Sequence, residues 1–222
     1  MTGLTHFAGT AAVVASLLLG HEVVVGQRLS LPPPISEGSM SVEEAISSRR
    51  SVRDYARDPL SLETVSQLLW AAQGETRRQR RSAPSAGALF PLEIYLVAGE
   101  VSELPPGVYR FEPQGHALIA VAPGDRRTAL AAAALKQTWV RKAPAVLVLT
   151  AVYQRTTKKY GSRGRRYVVM EVGHAAENVY LQASALGLGT VMVGAFKDEE
   201  VQSVLDLPDD HKPLGLMPVG RR

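Results

Sequence analysis

Cysteine is absent from the sequence, which excludes disulfide bridges, thiolate metal sites and a cysteine nucleophile, and leaves the redox compartment open. The five histidines show no metal-ligand pairing. Glu171 and His174 have the spacing of half a di-iron site, but no second copy completes it. We therefore predict no metal, and any redox chemistry must depend on a bound cofactor.

The sequence otherwise has the balance of an ordinary globular protein. Of its 222 residues, 45% are hydrophobic and 21% are charged, which suits one folded domain with a sizeable core. The formal net charge of +4 indicates an anionic partner. A nucleotide-like cofactor, a nucleic acid and a membrane surface would each satisfy it.

Residues 1–39 are interpreted as an extension of a functional domain at 40–222. The apolar run at residues 7–20 is shorter than the roughly 20 residues of a membrane span, and the first Lys or Arg of the sequence is Arg28, so the basic start of an export signal is missing. A packing helix and an export or membrane-tethering segment over residues 7–26 both stay open; the tether is not favoured, and a cytoplasmic protein is expected. A Leu-Pro-Pro-Pro stretch then predicts a stiff connector.

The domain itself shows a mixture of helical and strand patterns. Ser41 and Ser61 begin predicted helices, the first through a capping box with Glu44. Short apolar runs predict buried strands at 92–98, 145–152, 190–195 and 214–219, and the segments 107–112 and 116–121 predict a hairpin. Apolar residues almost all round the segment 166–186 predict a helix enclosed by protein, with a second subunit as the expected cover. The whole predicts an α+β fold.

Three segments carry candidate chemistry. Residues 49–53, Arg-Arg-Ser-Val-Arg, offer a donor set that suits a phosphate dianion, and a solvated basic helix end is the alternative. Residues 82–91 form a Gly/Pro loop whose backbone can approach a flat ligand, or an ordinary connection. Residues 187–189, Gly-Leu-Gly, follow a helix and precede a strand, the reverse of the order in a dinucleotide fingerprint, so a Rossmann site is excluded.

Taken in this order, with the blocks at 159–167, 173–178 and 218–222, these segments resemble the nitroreductase family of FMN enzymes, and most closely its branch of SagB-type, azoline-related dehydrogenases. The resemblance covers residues 40–222. It implies a mixed, mainly antiparallel sheet flanked by helices, and a homodimer with a central interface helix and FMN at the subunit interface. The cofactor-binding residues that it implies are Arg49, Arg50, Ser51, Arg53, Pro84, Ser85, Ala86, Gly87, Gly187, Leu188, Gly189 and a C-terminal arginine, Arg221 in preference to Arg222.

The resemblance also implies a role for each segment. Arg49, Ser51 and Arg53 would grip the phosphate and the ribityl chain. The 85–87 loop of the other subunit would lie along the isoalloxazine ring. Amides around residues 188 and 189 would face its redox edge.

One departure bears on the substrate. Ala88 and Phe90 stand where many nitroreductases have Asn and Gln, so reduction of nitro compounds is less firmly implied than FMN binding. The loop resembles that of the dehydrogenase branch, in which a Lys-Tyr pair takes part in removal of a substrate proton. Lys159 and Tyr160 occupy that motif and are the candidate catalytic pair, with a solvated basic loop as the alternative.

The resemblance therefore implies an FMN-dependent oxidoreductase that transfers two electrons. It would either reduce small electron-poor, nitro- or quinone-like substrates with NAD(P)H as candidate donor, or carry out SagB-type dehydrogenation. Two alternatives come from other classes, a non-catalytic flavin-binding protein and a nucleic-acid-binding module using the basic segments 77–81 and 158–166. The second is less favoured because these segments lack interleaved aromatic residues.

Overall fold

An antiparallel sheet forms the centre of the computed structural model, which describes residues 23–77 and 80–222. The strands of the described residues are β1 (Arg28–Ser30), β2 (Glu75–Arg77), β3 (Arg80–Arg81), β4 (Leu92–Ala98), β5 (Gly107–Glu112), β6 (Ala117–Pro123), β7 (Ala145–Ala151), β8 (Leu188–Thr190) and β9 (Lys212–Arg221). Seven of them form the main sheet in the order β1-β6-β5-β4-β7-β9-β8, while β2 and β3 form a separate ribbon. Each neighbouring pair in this order is antiparallel.

Helices cover both faces of this sheet. They are α1 (Val42–Ser48), α2 (Leu62–Gln73), α3 (Arg127–Ala133), α4 (Thr138–Lys142), α5 (Tyr153–Tyr160), α6 (Gly164–Ala185) and α7 (Asp198–Val204). Side chains of α2 and α6 pack with one face of the central strands, and those of α3, α4 and α7 pack with the other. The central strands β4 and β7 are therefore buried on both faces, which explains their continuous apolar sequence. The α+β prediction is confirmed.

Local signals in the sequence predicted several of these helices and strands. The Ser41 hydroxyl accepts from the Glu44 amide at 3.1 Å and the Glu44 carboxylate accepts from the Ser41 amide at 2.9 Å, as the capping box predicts. Ser61 caps α2, β4 has the predicted bounds, and the hairpin of β5 and β6 turns where it was predicted. These predictions are confirmed.

The predicted strand at 190–195 is wrong in its bounds. β8 ends at Thr190, and only an isolated bridge from Val193 to Leu216 follows. The reason is a side chain, because the Met192 amide donates to the Tyr180 hydroxyl at 2.7 Å and so does not continue the ladder. A tertiary contact of this kind cannot be predicted from the local pattern of apolar residues in the sequence.

The proline-rich segment before Met40 packs on the domain. β1 pairs with β6 at the edge of the main sheet, and Ile35 exchanges backbone hydrogen bonds with the Gln67 side chain of α2. The boundary expected near Met40 therefore does not separate this segment from the sheet. The apolar run at 7–20 lies outside the described residues, and its role stays a prediction. Within residues 23–77 and 80–222, no helix combines the length and the apolar character needed to cross a membrane.

The long helix α6 is covered by its own chain on one side only. Its inner side joins the core, while Val169 and Met170 on the outer side are 57% and 52% exposed. Gly173, His174 and Glu177 continue this exposed side along the helix. The surface that a second subunit was expected to cover is present, and its cover stays a prediction.

Candidate functional site

Two residues of the predicted phosphate motif contact the C-terminal half of α6. Arg49 places its Nε 3.7 Å from Oε1 of Glu177 and its guanidinium 5.1 Å from the centre of the Tyr180 ring. The Ser51 and Tyr180 hydroxyls lie 3.2 Å apart. An ion pair of 3.7 Å is too long for a hydrogen bond, so Glu177 restrains the guanidinium without a strong hydrogen bond to it. An arginine and a hydroxyl are thus presented side by side.

The backbone holds this segment against the edge of the sheet. Ser51 forms a parallel bridge with Thr190 of β8, and the Val52 amide donates to the Thr190 carbonyl at 2.9 Å. A Cβ on Gly189 would lie 2.6 Å from the Val52 side chain, so glycine is needed for this close approach. Tyr55 donates to the Val52 carbonyl at 2.8 Å, and burial raises the pKa of Tyr55 well above its usual value, so it stays a neutral donor.

A C-terminal arginine joins the same helix face. Arg222 donates through Nε to the Leu188 carbonyl at 3.0 Å, and its Nη2 lies 3.4 Å from the Ser184 hydroxyl, one turn of α6 beyond Tyr180. The preferred residue, Arg221, uses its backbone instead, pairing with Leu188 in the sheet. Of these two arginines, it is therefore Arg222 whose guanidinium contacts the part of α6 near Arg49 and Ser51.

The other two arginines of the motif have different contacts. Arg50 donates to the carbonyls of Ser47 and Arg49, at 2.8 and 2.7 Å, and so satisfies the end of α1. Arg53 lies over the Trp139 ring of α4, 5.7 Å from its centre. The structure brings Arg49, Ser51 and Arg222 to α6, and it gives Arg50 and Arg53 contacts of another kind.

The loop at residues 84–90 has an unusual backbone. Gly87, Ala88 and Phe90 have positive φ angles of 64°, 53° and 45°. Two of these three residues have a Cβ, and such conformations cost on the order of 1–3 kcal/mol each. The Ser85 hydroxyl accepts from the Phe90 amide at 2.9 Å and so closes the loop on itself. Pro84 and Ala86 belong to the same turn, whose shape is fixed by its own hydrogen bonds.

A buried carboxyl lies beneath this loop. Glu171 of α6 is 2% exposed, is hydrogen-bonded by the Ser85 side chain and accepts from Gln73 Nε2 at 3.3 Å. Burial raises the pKa of Glu171 to about 7, opposed by hydrogen bonds from Ser85 and Gln73 and by the charge of Arg81. The sequence analysis considered Glu171 only as a metal ligand. A carboxylate within a helix predicted to be enclosed by protein was the signal that could have identified it.

Lys159 and Tyr160 adjoin the loop within the same chain. A Cβ on Gly87 would lie 2.7 Å from the Tyr160 hydroxyl and 3.1 Å from Lys159 Nζ, so Gly87 leaves space for both. The Lys159 ammonium lies 5.4 Å from the centre of the Tyr160 ring, whose edge packs on Tyr167 of α6. The candidate catalytic pair and the candidate flavin loop therefore meet.

The glycine segment after α6 is less exposed than expected. Gly187 ends the helix with a φ of 69°, but Leu188 and Gly189 are buried in β8. Beyond β8 the chain is exposed again at Gly194, where, as at Gly187, a Cβ would meet no atom within 4 Å. Gly194 is thus a second candidate for contact with a flat ligand, five residues beyond Gly189, the buried β8 glycine.

The two groups of residues lie at different levels of α6. Tyr167 marks the end that carries the loop and Lys159, and Tyr180 marks the end that carries Arg49, Ser51 and Arg222. The rise of 1.5 Å per residue separates the two tyrosines by about 20 Å along the helix. A ligand that contacts both groups must either be long or lie between two copies of the chain.

Comparison with known proteins identifies this arrangement. The model of the nitroreductase family matches residues 46–221, which include both groups of residues except Arg222. The chain belongs to the nitroreductase family. The nitroreductase-like fold, with its mainly antiparallel sheet and flanking helices, is thereby shown.

Individual relatives agree with this assignment to the nitroreductase family. A "putative nitroreductase" of Methanocaldococcus jannaschii is 48% identical over 191 residues, which cover 86% of this chain and 94% of that protein. The crystal structure of a "putative nitroreductase" from Ralstonia eutropha has a TM-score of 0.77 at 28% identity and covers 93% of this chain and 95% of its own. The microcin B17-processing protein of Escherichia coli is 27% identical over 158 residues, 68% of this chain and 58% of that protein.

Proposed function

We propose that this chain is an FMN-dependent oxidoreductase whose site is completed by a second copy of itself. The observation on which the proposal depends is the convergence of Arg49, Ser51 and Arg222 on one face of α6, although they are far apart in sequence. Two guanidiniums beside a hydroxyl form the donor set that a phosphate monoester dianion prefers. Membership of the nitroreductase family supports FMN as the molecule that bears this phosphate.

The residues present fit such a phosphate. The Thr190 hydroxyl, in the residue that bridges to Ser51, is buried and has no hydrogen-bond partner among the described residues, so one more donor is available there. Arg49, Ser51 and Arg222 would hold the phosphate, with Arg53 as a more distant cation. When bound, FMN supplies a ring that accepts or donates two electrons.

A two-fold axis near Gly173 would bring the two groups of site residues together. Gly173 lies midway between Tyr167 and Tyr180 on the exposed side of α6, so an antiparallel crossing there places the Tyr167 level of one chain at the Tyr180 level of the other. A Cβ at Gly173 would meet no atom of its own chain within 4 Å, which leaves room for close approach of a second helix. The exposed Val169 and Met170 supply apolar area for the contact. The 85–87 loop of one copy would then cover a ring held by the arginines of the other.

Lys159 and Tyr160 are proposed as the groups that hold or move the substrate proton. Both adjoin Gly87 of the loop, and a proton-transfer group must be within hydrogen-bond reach of its substrate. This arrangement favours dehydrogenation, in which the neutral amine of Lys159 would accept the substrate proton while the Tyr160 phenol donates a hydrogen bond to the substrate. Likeness to the microcin B17-processing protein supports this direction.

The second candidate is reduction of small electron-poor substrates with NAD(P)H as the donor. The likeness to the Methanocaldococcus jannaschii protein favours it, because that protein is described as a nitroreductase. A nucleic-acid-binding role is less well supported. Arg81 lies over Phe90 and Arg165 lies over Tyr153, so both basic segments use cations in contacts within the chain.

The test is cofactor binding by the purified protein and by two variants. We expect a yellow protein that loses colour when a matching reductant is added. Arg49→Ala should weaken FMN binding about 10- to 150-fold, the effect of one lost charge-assisted hydrogen bond. Arg126→Ala, which removes a half-exposed arginine paired with Asp206 on α7's side of the sheet, is the control and should bind FMN normally. A colourless protein that takes up no FMN, or full affinity in Arg49→Ala, would overturn the proposal.

A further inference from the structure

A polar cavity of about 250 Å³ lies beside the loop and outside the site described above. Its walls come from the end of α2, from β3, from the paired strands β4 and β5, and from α5. Arg81, Arg110 and Arg155 line it, together with Glu93. Three guanidiniums around one small space are expensive to keep together unless negative charge balances them.

The carboxylate within the cavity is already engaged. Glu93 is 11% exposed in its side chain, and its two oxygens pair with Arg110 at 3.3 Å and Arg155 at 2.5 Å. Glu112, also on the wall, bonds outward to Arg28 at 2.8 Å. Both carboxylates are therefore paired with arginines, Glu93 with two that line the cavity and Glu112 with Arg28.

Arg81, on β3, is a partly buried cation of this cavity. Its Nη1 lies 3.4 Å from the Gln73 carbonyl. Burial lowers the pKa of Arg81, Arg155 lowers it further, and Glu93 and Glu75 raise it. Among the residues that line the cavity, Glu93 and Glu112 set against the three arginines leave one positive charge. The lining of the cavity therefore carries more positive than negative charge.

We propose that this cavity binds a small dianion, of the class shared by inorganic phosphate and short dicarboxylates. A volume of 250 Å³ corresponds to about eight water molecules, enough for either ligand. Planar guanidinium forks bind such oxyanions through paired hydrogen bonds. The ligand would contact Arg81, Arg110 and Arg155 and supply the missing negative charge.

The same arginines connect the cavity to the loop. Arg155 donates to the Phe90 carbonyl at 3.1 Å, and Arg81 lies 5.0 Å from the centre of the Phe90 ring. Phe90 has a positive φ and is held between these two contacts. An anion that fixes Arg81 and Arg155 therefore also fixes the loop that carries Ser85 and Gly87. That this loop covers a flavin rests on the function proposed above, whereas anion binding itself does not.

The test is calorimetric titration of the purified protein, with saturating FMN present, at constant ionic strength. Malonate, succinate, phosphate and acetate are the probes. We expect a dianion to bind at one site per chain, with acetate at least tenfold weaker. Comparison of malonate and succinate with phosphate decides between the dicarboxylate and phosphate sources. Equal weak binding of all four probes would overturn the proposal.

Two variants locate the binding. Gln114→Glu adds a carboxylate to the exposed turn on the cavity wall without removing a core contact, and Arg110→Gln removes one guanidinium. Both should weaken dianion binding at least tenfold, and Arg126→Gln should not. Unchanged binding in Gln114→Glu would overturn the proposal even if Arg110→Gln fails to fold. Repeating the titration in Arg49→Ala separates the two proposals, because the cavity should bind its dianion whether or not FMN is bound.

Discussion

The buried carboxyl of Glu171 predicts a specific dependence of stability on pH. Burial raises its pKa from 4.5 to about 7 in the folded protein. Below pH 4.5 the group is neutral in both the folded and the unfolded states and contributes no difference. As the pH rises from 4.5 to 7, the unfolded chain loses this proton while the folded chain retains it, so the free energy of unfolding falls. Above pH 7 the full cost, about 3 kcal/mol, is present.

Glu171→Gln should remove this cost. The variant keeps an amide oxygen that can accept from Ser85, and it carries no charge at any pH. Gln73 can adapt by turning its amide, because its Oε1 is buried without a partner among the described residues. We therefore expect Glu171→Gln to be about as stable as the wild type near pH 4.5 and up to about 3 kcal/mol more stable at pH 8.

Urea denaturation at several pH values between 4.5 and 8 measures this difference. Glu37→Gln, which replaces an exposed carboxylate, is the matched control and should show no growing difference over the same range. The reasoning is refuted if the gap between Glu171→Gln and the wild type is constant from pH 5 to pH 8. It is equally refuted if the variant becomes relatively less stable as the pH rises, because the charge of Arg81 would then favour the ionised carboxylate over its burial cost.

Three further predictions concern the proposed site. Gly173→Arg should convert a dimer to a monomer in sedimentation velocity, while Gly173→Ala should leave the monomer fold intact; a dimer in both would exclude the proposed crossing. Arg222→Ala should weaken FMN binding about tenfold or more and Arg221→Ala should weaken it less, as measured by fluorescence titration. Tyr160→Phe and Lys159→Gln should retain FMN and lower the rate of substrate dehydrogenation by about 100-fold. Full activity in both variants would instead favour the alternative interpretation, in which these residues belong to a solvated basic loop and take no part in the reaction.

Much of the fold followed from local chemistry in the sequence. The capping box at Ser41, the buried strand β4 and the hairpin of β5 and β6 each depend on residues a few positions apart, and the structure has them where they were predicted. The order of the strands and the cover of α6 depend on contacts between distant residues. Periodicity predicted that α6 would be enclosed, but it could not show which residues its own chain covers.

The site shows the same limit. Composition identified the 49–53 segment as a phosphate motif, but it gave no means to separate Arg49 and Ser51, which reach α6, from Arg53, which lies over Trp139. The choice of Arg221 over Arg222 depended on where the backbone of β9 ends its pairing. Tyr180 lies in the 166–186 segment whose apolar pattern predicted an enclosed helix, and that pattern did not indicate that its hydroxyl would contact both Ser51 and the Met192 amide.

The bridge between Ser51 and Thr190 has a consequence for the order of events during synthesis. The 49–53 segment leaves the ribosome early, yet its supports in β8 and β9 are made more than 130 residues later. Contacts of such long sequence separation form slowly, because a long chain must close before they give any stability. Cofactor capture is thus expected to follow translation of β9, and its rate should report arrival of that strand.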